Sequence, residues 1–547
     1  MLQMKYSKYL YLILCAVVMV FTSCREPEPT RIKIVCTGDV HGNLFPIDFL
    51  TGDSVQGSLA RVSSYLKELR LQGTDVVYVD NGDMLQGTPA TYCYNTHAVG
   101  APHVSAEVLN YLQCDAVVLG NNDIEPGGPT YRRYISDLHC QPIGGNILYD
   151  GTETSFLPPY ILVERGGLRI ALLGLTTPAI PHWIPNSQWP GLEFVDMERS
   201  AGLWMQYLHD NVQPDMVIGL FHSGYEGGIV TDSYAENATR AVAEHVPGFD
   251  AIFYGHDHRA RIAEVVNVVG DTVLLLNPGK DALRVATIDI VRPQGGKPSL
   301  SASLVDMGGY MPDEEYLNTF APQMERIEQY VNRTLGTSSC AATSDEALYG
   351  PSALVDFIHQ MQLDASGAKI SFATSSAPNS MLPEGEVTVR DIYRLFPYEN
   401  TLYVLMLTGR EVKDYLEYSY DRWIAQWGNP NSLPDYDSAA GIIYEVDVTR
   451  PMGKRVSIAS MADGSPFSMD ARYMVAMNSF RAHGGGGMMT EGVGIAHEEL
   501  LRRIVYTTTA DLRFHMISRV SMHKTIAPAA LHHWRFVPQG KLGGKAQ

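Results

Sequence analysis

The chain has 547 residues, of which 45% are apolar and 18% charged. That length is more than one ordinary core organises, and the apolar content excludes a disordered or fibrous protein. A formal net charge of −19 argues against a nucleic-acid polymer as partner, since such binding rests on Lys and Arg at phosphates. A small phosphorylated ligand stays open, because bound metal ions can supply positive charge locally.

In chain order, the first predicted element is a targeting segment. Lys5 and Lys8 lead an apolar run over residues 9–21, too short to span a bilayer but suited to a signal-peptide core. It ends in Phe21-Thr22-Ser23-Cys24, and the polar stretch Arg25-Glu26-Pro27-Glu28-Pro29 follows. This resembles a bacterial lipoprotein signal. Residues 1–24 are then a signal segment with Cys24 lipidated, the protein belongs to the periplasm or outer membrane, and it meets the membrane only through that lipid. Past it lie Cys36, Cys93, Cys114, Cys140 and Cys340. An odd count without CxxC spacing argues against a disulfide framework or a thiolate zinc site.

From residue 31 to about 292, strand-like runs alternate with helical stretches. Leu59, Val62, Leu66 and Leu69 recur at helical spacing and predict a helix over 59–71, followed by a strand over 76–79. Further strands are expected at 168–175 and 272–276. This alternation predicts an α/β layered domain, in which ligands gather beyond the carboxyl ends of strands. Residues 293–303 are rich in Pro, Gly and Ser. A helical face follows at Leu317, Phe320, Met324, Ile327 and Val331, and Pro322 should kink or split that helix. The boundaries expected are 31–300 for the first domain, 301–334 for a helical linker and 335–525 for a mixed α+β second domain. The latter carries a loop signal at Gly484-Gly485-Gly486-Gly487.

Five strand-like segments of the first half end in metal-binding residue types: RIKIVCTGDVH, DVVYVDNGD, DAVVLGNN, DMVIGLFH and DAIFYGHDH. Their tips carry Asp39 and His41, Asp83, Asn121, His222, and His256 with His258. Phosphoester hydrolysis needs an activated water and a means of spreading charge on the phosphoryl oxygens, which two metal ions about 3.5–4 Å apart provide. Ions that close need a shared carboxylate, and Asp83 is the natural bridge. A nitrogen and oxygen donor set suits two divalent ions such as Zn, Mn or Fe, without choosing among them. Each piece alone is weak, since a lone Asp-x-His or a single His after a strand is more often structural. Five in order, each at a strand end, are hard to reach by chance. His97, His103, His182, His245, His483, His532 and His533 fit no part of the pattern.

GDVHGNLFP, NGDMLQG, GNNDIEPG, GLFHSG and YGHDH resemble the five motifs of calcineurin-like metallophosphoesterases. Their spacing is similar to that of the secreted 5'-nucleotidase family and its 2',3'-cyclic-nucleotide phosphodiesterase/3'-nucleotidase branch. In the second half, FPYENTLYVLMLTG, GIIYEVDVTRP and YMVAMNSFRAHGGGG resemble the C-terminal substrate domain of those enzymes. The resemblance implies a four-layer α/β/β/α metal domain joined by a helix to a substrate domain, acting as a monomer on a nucleotide or related small phosphoester. It implies one ion on Asp39, His41, Asp83 and His258, and the other on Asp83, Asn121, His222 and His256. It also implies a base held between two aromatics, at Tyr436 and Phe480. Phe480, beside four glycines, is the better placed for exposure.

The chain departs from that pattern at Asn122, where the family has a histidine that donates to the phosphoryl group and is oriented by an acid three residues on, here Glu125. An amide donates a hydrogen bond but carries no positive charge and transfers no proton. Losing such a group costs on the order of 10²–10⁴ in rate. The expected activity is therefore hydrolysis of nucleotide phosphoesters, slowed or re-tuned. The alternative is a metal-loaded nucleotide-binding pseudoenzyme of the cell envelope.

Overall fold

The computed structural model describes residues 30–538 except 294–295, 376–379, 399 and 427–435. The signal segment and Cys24 lie outside the described residues. Among the described residues, no helix is long and apolar enough to cross a membrane.

The first unit is built on two six-stranded sheets. In one, Thr30–Thr37, Asp75–Asp80, Ala116–Val118 and Gln141–Ile143 run parallel side by side, and the antiparallel pair Arg284–Arg292 and Ser299–Asp306 completes the edge beyond Thr30–Thr37. In the other, Leu168–Thr176, Met216–His222, Ala251–Tyr254 and Thr272–Asn277 are parallel neighbours, with Tyr160–Arg165 and Arg261–Val266 antiparallel at the two edges.

Side-chain alternation explains the stacking. In Thr30–Thr37, Ile32, Ile34 and Cys36 face the second sheet, where they meet Ile170, Ile218 and Phe253 in a buried apolar layer. Val35 faces the other way, onto the helices Leu59–Leu71 and Val104–Tyr111. The second sheet repeats the arrangement. Leu173, Val217 and Ile252 turn outward onto Met197–Tyr207 and Thr239–His245. Both sheets are thus covered on both faces, which is why their strands read as continuous apolar runs. Each fully buried Ile or Val contributes about 1.5–3 kcal/mol. The order of layers is α/β/β/α.

The helix expected over 59–71 forms as Leu59–Leu71, and the expected strands form at Asp75–Asp80, Leu168–Thr176 and Thr272–Asn277. The connecting helix is split, as its proline requires. Glu314–Thr319 ends at Phe320, and Ala321–Val331 begins with Pro322 in its first turn, where a missing N–H costs nothing. Phe320, Ile327 and Val331 are buried in an apolar cluster that runs on into Leu335, Val389 and Ile392 of the second unit.

That second unit centres on a five-stranded sheet in the order Ser438–Ala440, Ile370–Ala373, Arg472–Asn478, Thr401–Thr408, Ile504–Asp511. The helix Ala353–Ser366 packs on one face and Gly409–Gln426 on the other. Cys36, Cys93, Cys114, Cys140 and Cys340 are all free thiols.

Candidate metal centre

All five tips lie at the carboxyl ends of strands, and the backbone bends sharply to bring them together. Asp39, His41, Asp83, His256 and His258 have positive φ of 51°, 50°, 58°, 70° and 59°. Side chains with a Cβ seldom occupy that region, and each such residue costs on the order of 1–3 kcal/mol that the surroundings must offset. Part of the offset is visible in hydrogen bonds between tips. The amide of Asp39 donates to Gly82 O at 2.9 Å, that of His41 to Asp83 O at 2.9 Å, and that of His256 to both Asp39 carboxylate oxygens at 3.1 Å. At Gly120 a side chain is excluded outright, since a Cβ there would lie 2.1 Å from Asp83 Oδ1.

The first group of predicted ligands converges. Ligand atoms of Asp39, His41, Asp83 and His258 lie within 4.8 Å of one another. His41 Nε2 and His258 Nε2 are 3.0 Å apart, and His258 Nε2 is 3.4 Å from Asp39 Oδ1. His41 Nδ1 faces Gln86 O at 3.3 Å, which holds the donor on Nδ1 and leaves the Nε2 lone pair toward the cluster. The second group gathers around the same aspartate. His222 Nε2 is 3.3 Å from Asp83 Oδ2 and 3.2 Å from Asn121 Oδ1, while its Nδ1 donates to Asn81 O at 2.8 Å. The His256 ring lies 5.4 Å from that of His222. Imidazole nitrogens and carboxylate oxygens turned toward common points, with Asp83 shared, form a donor set that fits two divalent cations of the nitrogen- and oxygen-binding kind.

The electrostatics agree with such a site. Burial alone would depress the His222 pKa, but the adjacent Asp83 carboxylate, with Asp39 and the Asn81 carbonyl, pushes it up to about 10. Burial would raise Asp83, yet the charge of His222 holds it well below the usual carboxylate range. The site stores negative charge that protons occupy when no metal does.

Three supporting residues went unread in the sequence. Asp123 accepts from the amides of Gly120, Asp83, Met84 and Leu85 at 2.8–2.9 Å, tying the second tip to the third. An acid three residues past Gly120, opening a short helix, was its one local signal. Asp257 accepts from Tyr225 N at 3.0 Å and Asn277 Nδ2 at 2.7 Å, pinning the loop between His256 and His258. Glu236, on the hairpin strand Ala235–Asn237, reaches His256 Nε2 at 3.1 Å and had no sequence signal.

Asn122 points into the site. Its amide nitrogen Nδ2 donates to Asp83 Oδ2 at 2.9 Å, its backbone N–H to Asp83 Oδ1 at 2.8 Å, and its Oδ1 accepts from Asn121 Nδ2 at 3.1 Å. Against the expectation that Glu125 orients residue 122, Asn122 is held by Asp83 and Asn121, while Glu125 accepts from Gln86 Nε2 at 2.9 Å. Glu125 lines a cavity of about 100 Å³ between the two units, with Gln86, Tyr92, Thr401, Asp511 and Phe514.

The two aromatics separate. Tyr436 is 3% exposed, packed against Trp423 (ring centroids 5.3 Å apart), Tyr420 and Trp534, with its hydroxyl donating to Ala347 O. Burial sets Tyr436 apart from the exposed stacking role expected of it, since its ring belongs to the apolar core of the second unit. Phe480 is 54% exposed on the short helix Ser479–Ala482. Arg481, at 5.4 Å from the Phe480 ring centroid, is itself fixed in a buried ion pair with Asp437 at 3.1 Å. The glycine-rich segment approaches the metal cluster through rings: His483 against Tyr403 at 4.8 Å, the Tyr403 hydroxyl donating to Trp183 O at 3.2 Å, and Trp183 5.5 Å from His256. Of the histidines set aside, His103 is buried and bonds to Ser105 N and Asn95, and His245 pairs with Glu198 on the surface.

Two family models match the chain: calcineurin-like phosphoesterase over residues 32–260 and 5'-nucleotidase, C-terminal domain, over residues 334–492. A 2',3'-cyclic-nucleotide 2'-phosphodiesterase/3'-nucleotidase of Haemophilus influenzae is 24% identical over 95% of this chain and 89% of its own. A trifunctional nucleotide phosphoesterase of Bacillus subtilis is 24% identical over 93% of this chain, which spans 39% of that relative's length. Among solved structures, a putative 5'-nucleotidase from Staphylococcus aureus superposes with a TM-score of 0.72 at 21% identity, covering 92% of this chain and 99% of that one.

Proposed function

We propose, since the chain belongs to the two-domain 5'-nucleotidase family of calcineurin-like metallophosphoesterases, that it hydrolyses nucleotide phosphoesters at the cluster centred on Asp83. The observation that carries this reading is the convergence of Asp39, His41 and His258 on one side of Asp83 and of Asn121 and His222 on the other. In this reading His256 completes the second group. Bound there, two divalent ions would supply an activated water and neutralise phosphoryl charge. The chain's own residues do the rest. Asp83 would be shared by both ions, His41 and His222 hold their tautomers through backbone carbonyls, and the second N–H of the Asn122 amide offers a donor where charge develops. Phe480 supplies a stacking face for a base. The substrate class is a nucleoside monophosphate or a 2',3'-cyclic nucleotide. We take residues 31–300 as the metal domain, 301–334 as the linker, 335–525 as the substrate domain, and Cys24 as a lipid attachment site at the cell envelope.

Asn122 also supports a second reading, a metal-loaded protein that binds nucleotides without turning them over. Without an imidazolium at this position, a leaving alkoxide lacks a charged donor. One experiment separates the two. Phosphate release is measured from AMP, 3'-AMP, 2',3'-cyclic AMP and bis-p-nitrophenyl phosphate with Mn²⁺ or Zn²⁺, beside an Asp83→Ala control. Metal-dependent release that vanishes in the control is the expected result. Two bound metals with no release from any ester would sink the hydrolase reading in favour of the binding protein.

A further inference from the structure

We infer that Glu236 is a positioning residue for the second metal ion, acting through His256. The inference rests on the assignment of His256 to that ion, and its test reads metal binding rather than turnover. His256 has two ring nitrogens. Nε2 faces Glu236 Oε1 at 3.1 Å, so that nitrogen carries the proton and Nδ1 keeps the lone pair. A carboxylate behind a histidine ligand fixes its tautomer, locks its ring and raises its basicity.

Glu236 is built for this task. It sits on a two-stranded hairpin, Gly227–Val230 with Ala235–Asn237, that follows the His222 tip and brings Glu236 back to His256. Its second oxygen accepts from Ile229 N at 2.6 Å, so the carboxylate is aimed by its own hairpin. Gly228, with φ +75°, passes close enough that a Cβ would lie 2.4 Å from Glu236 Oε2. That position needs glycine both for its backbone and for the room it leaves the carboxylate. Trp183 covers the His256 ring at 5.5 Å. His222 and His41 are held in their tautomers by backbone carbonyls. His256 alone of these three has a charged side chain in that role, so its hold is open to single-residue substitution.

The test is a double-mutant cycle read by Mn²⁺ and Co²⁺ titration with elemental analysis, on the full mature chain. In Glu236→Gln the second ion should bind about 10–100-fold more weakly, with the first ion unchanged and the visible spectrum of the Co²⁺ form altered. In a His256→Ala background, adding Glu236→Gln should cost nothing further, because a residue acting through His256 has nothing left to act on. Unchanged affinity and spectrum in Glu236→Gln would overturn the inference. So would an equal loss in both backgrounds, which would mark Glu236 as a brace of the hairpin. Metal binding that follows the expected pattern in a protein that hydrolyses nothing would leave this inference standing and remove the hydrolase reading alone.

Discussion

Acidification should strip the second ion first, and its steepness follows from one imidazole. In the metal-free site the carboxylates of Asp83 and Asp39 outweigh burial and hold the His222 pKa near 10. At neutral pH that ring therefore carries two protons. One is donated from Nδ1 to Asn81 O at 2.8 Å and stays. The other is on Nε2, 3.3 Å from Asp83 Oδ2, and must leave before Nε2 can become a ligand. Asp83 itself is held well below the usual carboxylate range and has no proton to give. One proton is thus displaced per ion bound at this position. Below about pH 10, each unit of acidification weakens binding tenfold, or about 1.4 kcal/mol. Going from pH 8 to pH 6 should raise the dissociation constant of the second ion about 100-fold. His258, raised by its hydrogen bond to Asp39, works in the same direction for the first ion. The assay is Mn²⁺ competition against a chromophoric chelator at pH 6, 7 and 8, with calorimetry in two buffers of different ionisation enthalpy to count protons. A dissociation constant that is the same at pH 6 and pH 8, with no proton released, would show that His222 gives up no proton to the ion.

Asn122→His should raise turnover on a nucleoside monophosphate by at least roughly tenfold, since it restores a cationic donor beside Asp83. A steady-state comparison showing no gain would mean another step limits the enzyme. Gly120→Ala should lose at least one ion by elemental analysis, because its Cβ would lie 2.1 Å from Asp83 Oδ1 and 2.6 Å from His222 Cε1. Full metal content in that variant would contradict the packing described. Phe480→Ala should raise KM for a nucleotide about fivefold or more while sparing p-nitrophenyl phosphate, the loss of about 1–3 kcal/mol of stacking. Tyr436→Ala should instead lower stability by about 3–5 kcal/mol, read as a drop in Tm, and leave KM of the folded enzyme unchanged. An unchanged Tm with a raised KM would return Tyr436 to the binding site.

Much of the candidate metal centre was legible in the chain because each proposed ligand is local to a strand end. An apolar run announces the strand, and the residue just past it must sit where the sheet opens, so Asp39, Asp83, Asn121, His222 and His256 could be read one segment at a time. The helix Leu59–Leu71 and the break at Phe320 followed from helical spacing and a proline in the same way. What tertiary structure alone decided is which side chains meet across long separations. Glu236 is one acid among 60 acidic residues, and nothing in its segment points to a histidine 20 residues later until the hairpin folds back. Glu125 lies at the expected spacing, yet its carboxylate accepts from Gln86, while Asn122 is held by Asp83 and Asn121. Tyr436 and Phe480 are both aromatics near loops in the sequence. Only packing against Trp423 and Trp534 buries one and leaves the other open, because exposure depends on what the rest of the chain brings to each ring, and neighbours in sequence do not carry that information.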